Sequence, residues 1–103
     1  MEVVYIAGPY RDTATSTVCE NIQEARHYAV KFWRLGYAVI CPHLNTAHME
    51  NEIPGDTIFL SGDMELLRRS DIVVMMPEWI RSQGATEEHR LAVNLGKKVI
   101  YEQ

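Results

Sequence analysis

Two rhythms of apolar residues alternate along this chain. Short unbroken apolar runs are separated by longer stretches in which apolar residues recur every three or four positions. Residues 2–7 (EVVYIA) are rich in Val, Ile and Tyr and stop at Gly8-Pro9, which predicts a buried strand closed by a turn. Residues 10–16 are polar and bring Thr and Ser to helix-capping positions. From Thr17 to Leu35 the residues Ile22, Ala25, Ala29, Phe32 and Trp33 keep helical spacing, and Gly36 follows as a C-terminal stop. Trp33, on that spacing, is expected in the core or in an interface. Residues 38–41 read as a second short strand, halted by Pro42. Residues 43–56 have no period and carry Asn45, His48, Asn51, Pro54 and Gly55, so a long loop with at most one helical turn is expected. Loops of that length in a compact domain are often lids or binding loops. The stretch DTIFLSGDMELLRRSD predicts a second long helix, and Asp71 introduces an apolar run at 72–75. Residues 77–84 are a loop, a third long helix starts near Ala85 and ends at Gly96, and 98–101 is the last strand.

The order is therefore β-α-β-loop-α-β-α-β. Such alternation predicts an α/β chain with helices on both faces of a short parallel sheet of about four strands, a three-layer Rossmann/flavodoxin-like fold. The run at 72–75 does not alternate, as expected of a central strand covered on both faces. Residues 1–103 are expected to form one domain with one core. In such sheets ligands bind beyond the carboxyl ends of the strands. Those ends carry residues 8–11, 42–45 and 76–84.

Composition narrows the partners. The net charge is −4 with scattered basic residues, which argues against a nucleic-acid polymer and for a small-molecule partner. Cys19 and Cys41 form neither a disulfide framework nor a CxxC pair, so a reducing cytoplasm is expected. His27, His43, His48 and His89 are spread over different elements without metal-ligand spacing, so no metal and no cofactor is expected. No apolar run approaches the roughly 20 residues of a membrane span, and Met1 leads straight into a strand, so neither a membrane segment nor a signal peptide is expected.

Two acidic residues occupy positions where packed helices carry apolar ones. Glu88 is three after Ala85, three before Leu91 and four before Ala92, so it points with that stripe. Asp63 is four after Phe59, three after Leu60 and four before Leu67. An unpaired buried charge is costly, so two such carboxylates beside one strand suggest a shared site with general-acid and nucleophile roles. A second reading stays open for Asp63: a helix starting near Ser61 leaves it exposed in the first turn. Tyr5 is compatible with a hydroxyl reaching a carboxylate, and equally with an ordinary core tyrosine.

The rim segments carry further candidates, each with a plainer alternative. Gly8, after the first strand, allows close backbone approach to a ligand, and Arg11 suits a phosphate or carboxylate; a simple turn with a solvated arginine is the alternative. The segment is neither GxGxxG nor a phosphate loop ending in GK[ST]. Ser82 suits a helix cap, and the first-turn N–H groups around Gly84 suit an anion. Trp79 fits stacking on a flat base or a place at a rim or interface. Asp71 is a turn residue or a support for the site.

In this order and spacing, VYIAGPYR, NIQEARHYAVKFWRLGYAVICP, GDMELLRRSDIVVMM and SQGATEEHRLAVNLGKKVIYE resemble the nucleoside 2-deoxyribosyltransferase superfamily. That group includes deoxynucleoside 5′-monophosphate N-glycosidases. The resemblance implies that Glu88 is the nucleophile at the anomeric carbon, that Asp63 helps the base depart, and that Tyr5 orients the glutamate. It also implies that Arg11, Ser82 and Gly84 serve a 5′-phosphate. Pro9 replaces the small polar residue of the family's first loop. Relatives commonly continue past the fourth strand, where later residues or a neighbouring subunit help close the site, so the site here is expected to be open, to need a partner chain or to be degenerate. Exposed aromatics, the missing elements and the small core make a homo-oligomer the expectation. By analogy with retaining glycosidases the two carboxyls should lie roughly 5–5.5 Å apart.

The function expected is cleavage of the N-glycosidic bond of a nucleoside 5′-monophosphate, with the deoxy sugar favoured. The alternatives are a nucleoside 2-deoxyribosyltransferase exchanging bases and a non-catalytic nucleotide-binding module.

Overall fold

The computed structural model describes residues 1–11, 16–55 and 57–103. The expected polar loop at 12–15 and the helix start at Asp56 lie outside the described residues. The elements run β1 (Val3–Ala7), α1 (Val18–Arg34), β2 (Ala38–Ile40), α2 (Pro42–Asn45), α3 (Thr57–Arg68), β3 (Ile72–Met75), a 3-10 turn (Trp79–Arg81), α4 (Gln83–Asn94) and β4 (Lys98–Tyr101). The four strands form one parallel sheet in the order β2-β1-β3-β4. The α/β flavodoxin-like arrangement read from the sequence is the observed one.

Strand alternation builds two cores. Val4, Ile6, Ile72, Val74 and Met76 face α1 and pack on Ala25, Ala29 and Phe32. Tyr5, Ala7, Val73 and Met75 face the other way and pack on Leu67 of α3 and on Ala85 and Ala92 of α4. Helix α1 opens with a capping box: Thr17 accepts from the Glu20 N–H, and Glu20 accepts from the Thr17 N–H. Gly36 and Gly96 follow α1 and α4 at φ +94° and +71°, the left-handed turn that glycine adopts without strain. No helix among the described residues is long and apolar enough to cross a membrane.

The structure bears on three local expectations. Trp33 is 56% exposed, because Phe32 completes the buried stripe from Ile22 and turns its neighbour outward. The expected loop at 43–56 begins with its one helical turn, which Pro42 opens as the first residue of α2. Gly8 has a packing reason: a Cβ there would come within 2.7 Å of the Met76 Cβ. Gly8→Ala is expected to destabilise by about 1–3 kcal/mol in urea unfolding, because Met76 lies in the α1-facing core and has little room to retreat.

Candidate active site

Tyr5 is the middle residue of β1, and its side chain is fully buried on the α3–α4 face. A buried phenol needs a partner, and the Tyr5 hydroxyl donates to Oε2 of Glu88. Glu88 reaches it because it shares the face of α4 that carries the buried Ala85 and Ala92. Asp63 lies on α3, four residues before the buried Leu67 and half-buried itself. The reading with Asp63 in the first turn fails, since α3 begins at Thr57.

These three groups act on one another. Loss of hydration pushes the Glu88 carboxyl up to about 8; the Tyr5 bond pulls it down and the Asp63 charge pushes it further up. Burial pushes Asp63 up to about 6. Burial, then the charge of Glu88, holds the Tyr5 hydroxyl well above the ordinary phenol range, so it stays a donor. The two carboxyls titrate as a pair, and a negative charge on one helps to keep a proton on the other. Between about 6 and about 8 the pair together holds one proton. One proton and one negative charge are what an acid and a nucleophile require.

The same shift makes stability depend on pH. The folded state raises the Glu88 value from 4.5 to about 8, so its contribution to stability is intact below 4.5 and lost as pH rises through about 8. Between about pH 5 and pH 9 the wild type is expected to lose roughly 2–4 kcal/mol more unfolding free energy than Glu88→Gln, measured in urea.

Other candidates fall into two groups. Gly8 and Arg11 follow β1, while Ser82 and Gly84 open the helix that follows β3, and these two strands are neighbours at the centre of the sheet. Ser82 caps α4 by accepting from the Ala85 N–H at 3.2 Å. A Cβ on Gly84 would meet nothing within 4 Å, so no protein atom demands glycine there. Asp71 stands apart from the cluster, while Trp79 packs against the core that holds Tyr5 and Ala85. Asp71 precedes β3 at the amino edge of the sheet and accepts from the Val3 N–H at 2.8 Å. It pins the start of β1 to β3, and the length of the sheet separates it from the rim that carries Gly8. Trp79 packs its ring on His89 at 4.3 Å and 31°, so one of its faces is already covered. Shallow grooves flank Trp79, and Tyr5, Asp63 and Glu88 line neither of them.

Residues 2–101 match the family described as a domain of unknown function, DUF4406. The chain belongs to that family. Among solved structures, this DUF4406 chain is similar to the 2-deoxyribosyltransferase of the psychrotolerant bacterium Bacillus psychrosaccharolyticus. The TM-score is 0.69 and the identity 21%, over 96% of this chain and 70% of that one. The likeness is one of fold. No curated protein matches the chain by sequence.

Sequence reasoning passed over several polar residues that the fold gathers. His89 lies 2.6 Å from the Tyr101 hydroxyl and under Trp79, which ties α4 to β4. Asn21 and His43 are buried beneath the loop after β1. Asn21 had a readable signal, because it sits four before Ala25 on the apolar side of α1.

Proposed function

We propose that this protein cleaves the N-glycosidic bond of a 2-deoxynucleoside 5′-monophosphate. The observation that carries the reading is the hydrogen bond from the buried Tyr5 hydroxyl to Glu88, with Asp63 acting on the same carboxylate. Glu88, as the anion, attacks the anomeric carbon while the bond to the base nitrogen breaks. The pair's one proton passes through Asp63 to the departing base. Tyr5 holds the glutamate in line and steadies its charge. Water then attacks the glycosyl ester, gives its proton to Asp63, and releases the sugar phosphate with Glu88 restored. Arg11, with the first-turn N–H groups of α4 behind the Ser82 cap, receives the phosphate.

A transferase reading differs only in the acceptor, and the fold likeness to a 2-deoxyribosyltransferase favours it. There a second base replaces water in the last step. A homo-oligomer belongs to the same proposal, since Ile80 and Tyr101 stand 75% and 51% exposed and pairing would cover such surface.

The test is incubation with a panel of deoxynucleosides and their 5′-monophosphates, with and without a second free base, followed by chromatography. Free base from monophosphates supports hydrolysis, and an exchanged nucleoside supports transfer. Binding without release, unchanged in Glu88→Ala, contradicts both and leaves a nucleotide-binding module.

A further inference from the structure

The loop that leaves β1 is gripped by two side chains that the proposed chemistry does not use. Asn21 of α1 is 3% exposed, and its Nδ2 donates to the carbonyls of Tyr10 at 3.0 Å and Arg11 at 3.1 Å. His43 of α2 is 5% exposed, and its Nε2 lies 2.7 Å from the carbonyl of Pro9. A carbonyl oxygen only accepts, so Nε2 carries the hydrogen. Nδ1 is then a lone pair, buried and without a partner among the described residues. Burial lowers the His43 value against the opposing pull of Pro9, which keeps this neutral tautomer in place. The Tyr10 ring stands edge-on to His43 with centroids 5.4 Å apart, and its hydroxyl donates to Glu50.

Three consecutive carbonyls thus face helices α1 and α2. No peptide bond here is cis, and a planar trans peptide points its N–H opposite to its C=O. The Tyr10 N–H, in the same peptide plane as the Pro9 carbonyl, therefore projects away from His43. The next plane, which joins Tyr10 to Arg11, is turned the same way by Asn21. Burying two polar side chains is costly, and the bonds they do make fix the direction of backbone dipoles at the central rim of the sheet.

We propose that Asn21 and His43 are positioning residues, which grip the carbonyls of Pro9, Tyr10 and Arg11 so that the Tyr10 N–H and the Arg11 segment face the anionic group of the bound nucleotide. The role rests on the monophosphate reading above. It adds two residues that touch no substrate and act through the loop.

The test follows the Tyr10 amide by NMR while a deoxynucleoside 5′-monophosphate is titrated into 15N-labelled protein. The Tyr10 amide shifts in the wild type. His43→Phe keeps the ring volume but loses the donor, and weakens the midpoint roughly tenfold. His43→Gln keeps a donor and returns the midpoint to within about threefold. Kinetics of base release follow the same order: KM rises roughly tenfold in His43→Phe while kcat changes less. If His43→Phe does not fold, Asn21→Asp turns a carboxylate on the same carbonyls and gives the same weakening. A motionless Tyr10 amide, equal midpoints, or a His43→Gln as weak as His43→Phe overturns the inference. The expected binding pattern without base release overturns the glycosidase reading and leaves the grip standing; base release with an unmoved KM in His43→Phe does the reverse.

Discussion

Glu88→Gln is expected to abolish base release, with kcat/KM at least about a thousandfold below the wild type and the fold intact. The amide is isosteric and still accepts from Tyr5, so the Tyr5 hydrogen bond at the heart of the cluster survives. What is lost is the nucleophile, since a neutral amide neither attacks the anomeric carbon nor balances its developing positive charge. The wild-type carboxyl is already reluctant to ionise in its dehydrated setting. The glutamine variant should therefore be at least as stable as the wild type at alkaline pH. Loss of activity together with loss of folding would show Glu88 to be chiefly structural. Retained activity would remove it from the chemistry altogether.

Asp63→Asn is expected to lower kcat by about 10²–10⁴ and to change the shape of its pH dependence. In the wild type the active pair holds one proton. Activity should fall below about 6, where both carboxyls are protonated, and again above about 8, where neither is. Without Asp63 only the ionisation of Glu88 remains. Activity should then rise with pH along a single limb and show no alkaline decline. That limb should also sit lower than the wild-type alkaline one, because the charge of Asp63 helps to raise the Glu88 value. Substrates whose base leaves readily should suffer least. A bell-shaped profile retained in Asp63→Asn would assign the acid to another group.

The fold was legible because its cores follow local rules. The apolar runs at Val3–Ala7 and Ile72–Met75 are the two central strands, buried on both faces, and no solvent-side alternation hid them. Gly36 and Gly96 marked helix ends because their backbone turn is one that glycine alone takes without strain. Glu88 was legible for the opposite reason, a charge breaking an apolar stripe. The same rule applied to Asn21 would have found it, but a neutral amide near a helix start looks ordinary. His43 offered nothing to read, because a four-residue helix has no period and the partner of its ring is a backbone carbonyl 34 residues away. Asp71 kept two readings because an acid before a buried strand suits a turn as well as a site. Only the pairing of β1 with β3 reveals that it bonds to Val3. Gly8 signalled closeness correctly, but the close neighbour is Met76.

The most direct measurement is intact-protein and peptide mass spectrometry after acid quench of a reaction with a 2-fluoro-2-deoxynucleoside 5′-monophosphate. The fluorine destabilises the cationic states of both formation and breakdown of the glycosyl ester, so a substrate whose base leaves readily is used and the ester accumulates. The proposed chemistry requires one sugar-phosphate adduct, released base in equal amount, and the label on the peptide that contains Glu88. Base release with no adduct, or an adduct on Asp63, would contradict it.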